Sequence, residues 1–209
     1  MEFDLRLDDK SRMSREIHVR FRESLGVQFP RATRLIIGCA SEKDARRIMK
    51  VLPLRFAKYG LEINAEKTKL VRFARPHWGF VPGKHGPKPE TFTFLGFTHY
   101  WGKIRSGGYT VKRKTEGKRL RRTLSSHRQW CRANRHRPLE QQHRDLCAKL
   151  LGHYQYYGVR GNSECLRLVQ SAAERAWRYW LSHRGGRRLT WQRFGSIRQR
   201  FPLPGPRIT

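Results

Sequence analysis

The sequence predicts an α+β chain in which a small sheet with one helix and a hairpin precedes an all-α three-helix unit. Three observations lead there. A short apolar run, Leu35-Ile36-Ile37-Gly38-Cys39, is followed at once by apolar residues at helical spacing. Aromatic and apolar residues then alternate along TFTFLGFTHYWGK and YTVKRKT, as on strands with one buried face. From Thr115 to about residue 185 the apolar residues recur three or four apart, which is the period of an amphipathic helix.

Taken in order, residues 1–33 are unassigned. They show short alternations at Ile17, Val19 and Phe21 but no sustained period, so they fit a short strand or a helix, and they end near Pro30. A strand is expected at 34–39. Ser41 then caps a helix whose apolar stripe is Ala45, Ile48, Met49, Leu52, Phe56 and Tyr59. Gly60 stands where a C-terminal cap belongs, and Pro53 should kink or break the helix. LEINAEKTKLVRF reads as strand, turn around 64–67, and strand at 69–73. Residues 74–90 are a Pro- and Gly-rich loop. TFTFLGFTHYWGK and YTVKRKT form a hairpin closed at Arg105–Gly108.

The helices follow. Leu120, Leu124 and Cys131 outline the first. The second begins near Pro138, suited to a first turn, and carries Leu139, Leu146, Leu150, Leu151, Tyr154 and Tyr157 to Gly158. Asn162 is the expected N-cap of the third, whose stripe is Leu166, Val169, Ala173, Trp177 and Trp180. LTWQRFGSIRQRF adds a short fourth helix. Trp177, Trp180 and Trp191 are expected in the core, and His153 as a hydrogen-bonded structural residue.

With 46 Lys and Arg against 16 Asp and Glu, the formal net charge is +30. Such an excess repels itself in a compact state and suggests a polyanionic partner, nucleic acid first. No apolar run is long enough to span a membrane, and MEFDLRLDDK has no signal-peptide core. Cys39, Cys131, Cys147 and Cys165 are widely spaced, so neither disulfides nor a zinc site is expected, and a reduced cytoplasmic compartment fits.

The densest charge is Lys112-Arg113-Lys114, Lys118, Arg119, Arg121, Arg122 and Arg128, running from a strand into the first long helix. A merely soluble face interleaves Glu with Lys. Here no acid stands between Glu116 and Glu140, which favours a phosphate-binding surface. Tyr154 and Tyr157 fall on the core stripe, whereas Tyr156 points elsewhere and could stack on a base.

Three segments in order, YGLEINAEKTKLVRF, TFTFLGFTHY and GHYQYYGVRGN, resemble the C-terminal half of bacterial group II intron reverse transcriptases, also called maturases. The resemblance covers about residues 34–205. It implies that residues 34–112 are the end of a reverse-transcriptase palm and 113–205 the thumb or maturase (X) domain. Phe94, Leu95, Gly96 and Phe97 match the primer-grip segment. Lys67 would lie near the incoming nucleotide, although a solvated turn lysine explains it as well. The implied partner is structured RNA, the group II intron itself, with a DNA/RNA hybrid as a second.

One departure decides the expected activity. In that family a Tyr-Ala-Asp-Asp turn, whose aspartates help bind two magnesium ions, precedes the strand matching Leu35–Gly38. Here Arg31-Ala32-Thr33-Arg34 stand there, and no acid occurs between Glu23 and Glu42. Two-metal phosphoryl transfer needs carboxylates at the ions. The expectation is therefore a C-terminal fragment that binds RNA and assists folding and splicing, with no catalytic residues, no metal and no cofactor of its own. Two rivals stay open: half of a split RNA-directed DNA polymerase completed by another chain, and a general basic nucleic-acid binder.

Overall fold

The structure, a computed structural model, describes residues 15–22, 34–185 and 188–208. The chain forms two compact units. One ends at Phe94 and takes in His99–Lys112; the other comprises Leu95–Thr98 and the chain from Arg113.

In the first unit, β1 (Arg15–Arg22) pairs antiparallel with β2 (Arg34–Cys39) on one side. On its other side it pairs with β3 (Glu62–Ile63) and, further along, β4 (Lys69–Val71). The segment left unassigned from sequence therefore supplies the middle strand of the sheet. Its alternation is too short to separate strand from helix, and only the pairing partners far along the chain decide it. Ile17 is in register with both Ile37 and Leu70.

Helix α1 (Glu42–Ala57) packs on this sheet around buried Ala45 and Cys39, with Leu35, Ile37, Ile48, Met49, Leu52, Ile63 and Leu70 against them. Ser41 caps it as expected, its Oγ accepting from Asp44 N–H at 3.1 Å. The helix runs through Pro53 without ending there. Proline removes one intrahelical hydrogen bond, and the turns on either side hold the rest. Gly60 lies two residues beyond the cap position, Lys58, in the left-handed region at φ 67°.

TFTFLGFTHYWGK is two strands, not one. β5 (Phe92–Phe94) and β6 (Phe97–Lys103) are joined by a two-residue turn at Leu95 and Gly96, and β7 (Tyr109–Thr115) completes the order β5-β6-β7. Both turn residues have positive φ, 47° and 80°, the signature of the tight hairpin turn whose twist suits its strands. In the first unit Phe73 is buried, 4.9 Å edge-on to Phe92 and stacked at 5.1 Å on Trp101.

The second unit is helical. α2 (Gly117–Ala133) and α3 (Leu139–Tyr157) both pack on α4 (Ser163–Leu181), and α5 (Trp191–Arg200) follows. The core is Cys131, Leu146, Trp177, Leu181 and Phe194, continued by Leu150, Tyr154, Leu166, Val169 and Ala173. Pro138 occupies the N-cap of α3 instead of its first turn, and its carbonyl accepts from Gln142 N–H at 3.1 Å. Leu151, expected in the core, is 43 % exposed. Buried Gln142 accepts from Trp177 Nε1 at 2.9 Å and donates to Arg137 O at 2.9 Å, anchoring the α2–α3 connection. The tail after α5 lies on α3, with Tyr154 Oη donating to Pro204 O at 3.3 Å.

The four cysteines are free thiols. Among the described residues no helix is long and apolar enough to cross a membrane.

Candidate nucleic-acid interface

Helix α2 sorts its residues by charge. Leu120, Leu124, His127 and Cys131, spaced four, three and four apart, turn inward onto the bundle. Residues spaced in this way share one face. Lys118, Arg119, Arg121, Arg122, Arg128 and Arg132 are all exposed on the remaining surface. Of these only Arg119 has a carboxylate within ion-pair reach among the described residues, Glu116 at 3.8 Å. Arg121 Nε donates to Gly117 O at 3.4 Å. Arg113 and Lys114 are exposed at the end of β7, directly before this helix.

Lys112 does not join them. Its stem lies over Gly102, and its Nζ donates to Lys103 O at 2.7 Å, within the first unit. Lys67 is exposed on a single 3-10 turn, with its N–H accepted by Asn64 Oδ1 at 3.1 Å.

The segment GHYQYYGVRGN works as a clasp. Tyr156 Oη donates to Leu95 O at 2.9 Å, and its ring stacks on Phe97 at 6.1 Å and 11°. Tyr157 packs on Phe97 at 5.3 Å, and a Cβ added to Gly96 would stand 3.0 Å from its hydroxyl. Glu116 N–H donates to Gly96 O at 2.9 Å. Leu95 and Gly96, matched by resemblance to a primer grip, are thus held from two helices. Leu95 is 54 % exposed and strained by its positive φ, while Gly96 and Phe97 are buried and Phe94 is half-buried. Tyr156 stays 55 % exposed, so it keeps an open ring surface despite the turn it holds.

Asn162 stands at the N-cap of α4, but its side chain makes no capping bond. It is wholly buried and binds Thr115 and the Tyr157 carbonyl instead. The buried Nε2 of His153 has no hydrogen-bond partner among the described residues, and its ring packs 4.6 Å from Tyr157. Burial pushes its pKa down to about 4, with His127 adding to the shift.

Trp191 reverses an expectation as well, being 55 % exposed, whereas Trp177 is wholly buried. Trp191 stands at the first position of α5 with the Arg178 guanidinium 4.0 Å from its ring centroid, while Phe194 one turn later is buried.

Among the described residues no group of three or more His, Cys, Asp or Glu could hold a metal ion. At the start of β2, Arg34 is in register with Arg20. Arg31, Ala32 and Thr33, which stand where the resemblance expects the metal-binding aspartates, lie outside the described residues. The chain matches no protein-family model, no curated protein and no solved structure.

Proposed function

We propose that this chain binds folded RNA through the sugar–phosphate backbone, using α2 and the end of β7 as its binding surface. The observation that supports this most is the sorting on α2. Its apolar residues face the bundle, while Lys118, Arg119, Arg121, Arg122, Arg128 and Arg132 face water with one carboxylate among them. From Arg113 onward, 23 Lys and Arg accompany five Asp and Glu, too few to neutralise that surface. Cations so placed gain affinity by releasing counterions from phosphates.

The resemblance to group II intron maturases names the particular RNA. In this reading the chain steadies the folded intron, and the RNA itself performs the splicing chemistry. The protein needs no hydrolytic or polymerising centre for that role.

The test is RNA binding across a salt series, with group II intron RNA competing against an unrelated structured RNA. Lys118, Arg121 and Arg122 are changed together to Gln, leaving the paired Arg119 in place. Each phosphate that loses its cation should reduce the slope of log affinity against log salt by about one. Unchanged affinity would remove the surface from consideration. Equal binding to both RNAs would leave a general basic binder, and primer extension by the protein alone would contradict the non-polymerase reading.

A further inference from the structure

Where α4 leads back into α5, the second unit holds a cavity of about 380 Å³. Small-ligand sites span roughly 300–1,000 Å³. Its wall combines open aromatic rings with cations. Trp191 is 55 % and Tyr179 44 % exposed, although large rings are mostly buried. The Arg178 guanidinium lies 4.0 Å from the Trp191 ring centroid and covers one indole face, and its Nη1 donates to Leu189 O at 3.2 Å. Tyr179 and His183 lie 4.3 Å apart at 34°, forming a second aromatic wall. Ser182 Oγ accepts from Leu189 N–H at 3.2 Å, which fixes the connection to α4. Arg188 is exposed at the rim, and among the described residues no carboxylate lines the space.

We propose that this cavity receives one unpaired nucleotide of RNA, its base stacked on Trp191 and its phosphate held by Arg188. An apolar ligand would leave Arg188 without a purpose, and a simple anion would make no use of the rings. A nucleotide uses both, because every base offers a π-face and every phosphate a charge. Paired bases are already stacked inside a duplex, so the site reads loops, bulges or ends. The proposal rests on the RNA-binding reading and adds to it a preference for unpaired positions.

The probes are an RNA hairpin with one bulged 2-aminopurine, the same hairpin without a bulge, and free AMP, all at one salt concentration. Anisotropy reports affinity and 2-aminopurine emission reports stacking. The bulged hairpin should bind more tightly than the other, with its emission quenched. Trp191→Ala should weaken it about five- to hundredfold, as loss of one base–aromatic stack does. Trp191→Phe should retain most of the affinity, and the unbulged hairpin should be indifferent to both changes. Because Trp191 is half in water, its loss does not hollow the core. Wild-type affinity of Trp191→Ala for the bulged hairpin would overturn the cavity proposal while leaving the α2 surface intact. If the wild type bound neither hairpin, both readings would fall. If AMP competed at concentrations matching the hairpin's own, free nucleotide would replace RNA as the ligand and the proposal would be wrong.

Discussion

Asn162 Oδ1 accepts from the Thr115 N–H at 2.8 Å, and Asn162 Nδ2 donates to Thr115 Oγ1 at 2.8 Å. Nδ2 also donates to Tyr157 O at 2.9 Å. One wholly buried amide therefore joins the end of β7, the end of α3 and the start of α4. Removing it leaves buried partners unsatisfied, at roughly 1–3 kcal/mol for each. Asn162→Ala should lower the thermal midpoint sharply. Asn162→Ser discriminates the roles: a capping function would be rescued by serine, while the three-way bridge would not. Full rescue by serine in a melting experiment would contradict the bridge.

Two glycines six residues apart in the same segment should respond with opposite signs. A Cβ at Gly158 would meet Tyr154 O at 2.3 Å and Arg207 O at 2.6 Å, both backbone atoms. Gly152, inside α3, has nothing within 4 Å of its added Cβ. Gly158→Ala should destabilise by several-fold more than any surface change. Gly152→Ala should stabilise by about 0.5–1 kcal/mol, since glycine is a poor helix former. Urea denaturation of the two variants checks both signs.

Leu95 takes a left-handed conformation at φ 47° that costs a non-glycine residue about 1–2 kcal/mol. Leu95→Gly should recover part of that cost and raise the denaturation midpoint. The exposed leucine side chain then becomes a functional question. If it touches RNA, the stabilised variant will bind less tightly; binding equal to wild type would assign the strain to the turn alone.

Burial holds His153 at about 4, below its ordinary value of 6.5, and His127 is shifted the same way. A histidine kept neutral by folding binds its proton more readily in the unfolded chain. Its stabilising contribution is complete above about pH 6.5 and is lost as pH falls from there towards 4. The melting temperature should therefore drop over that interval, and His153→Phe should drop less. Identical pH profiles for the two proteins would show that His153 is not a source of the acid sensitivity.

Much of the bundle was legible in the residues. Leu166, Val169, Ala173 and Trp177 recur at helical spacing and are wholly buried on α4. The cations of α2 were equally readable, because no acid interrupts them and a helix with one apolar face must expose everything else. Periodicity failed where elements are short or end early. Leu95-Gly96 reads as part of an alternating strand, yet it turns the chain, since Gly96 permits a tight corner that Tyr156 and Glu116 then hold. Trp191 fits the apolar stripe of α5 but stands at the helix's first position, half in water under the Arg178 guanidinium.

Charge, helical period and the absence of acids between Glu23 and Glu42 were thus settled by the chain's chemistry alone, because each depends only on residue type and local spacing. Three matters awaited tertiary structure: the partners of β1, the work of Asn162, and the aromatic cavity beside Trp191. All three depend on residues far apart in the chain that meet only after folding, and local spacing contains no information about such meetings.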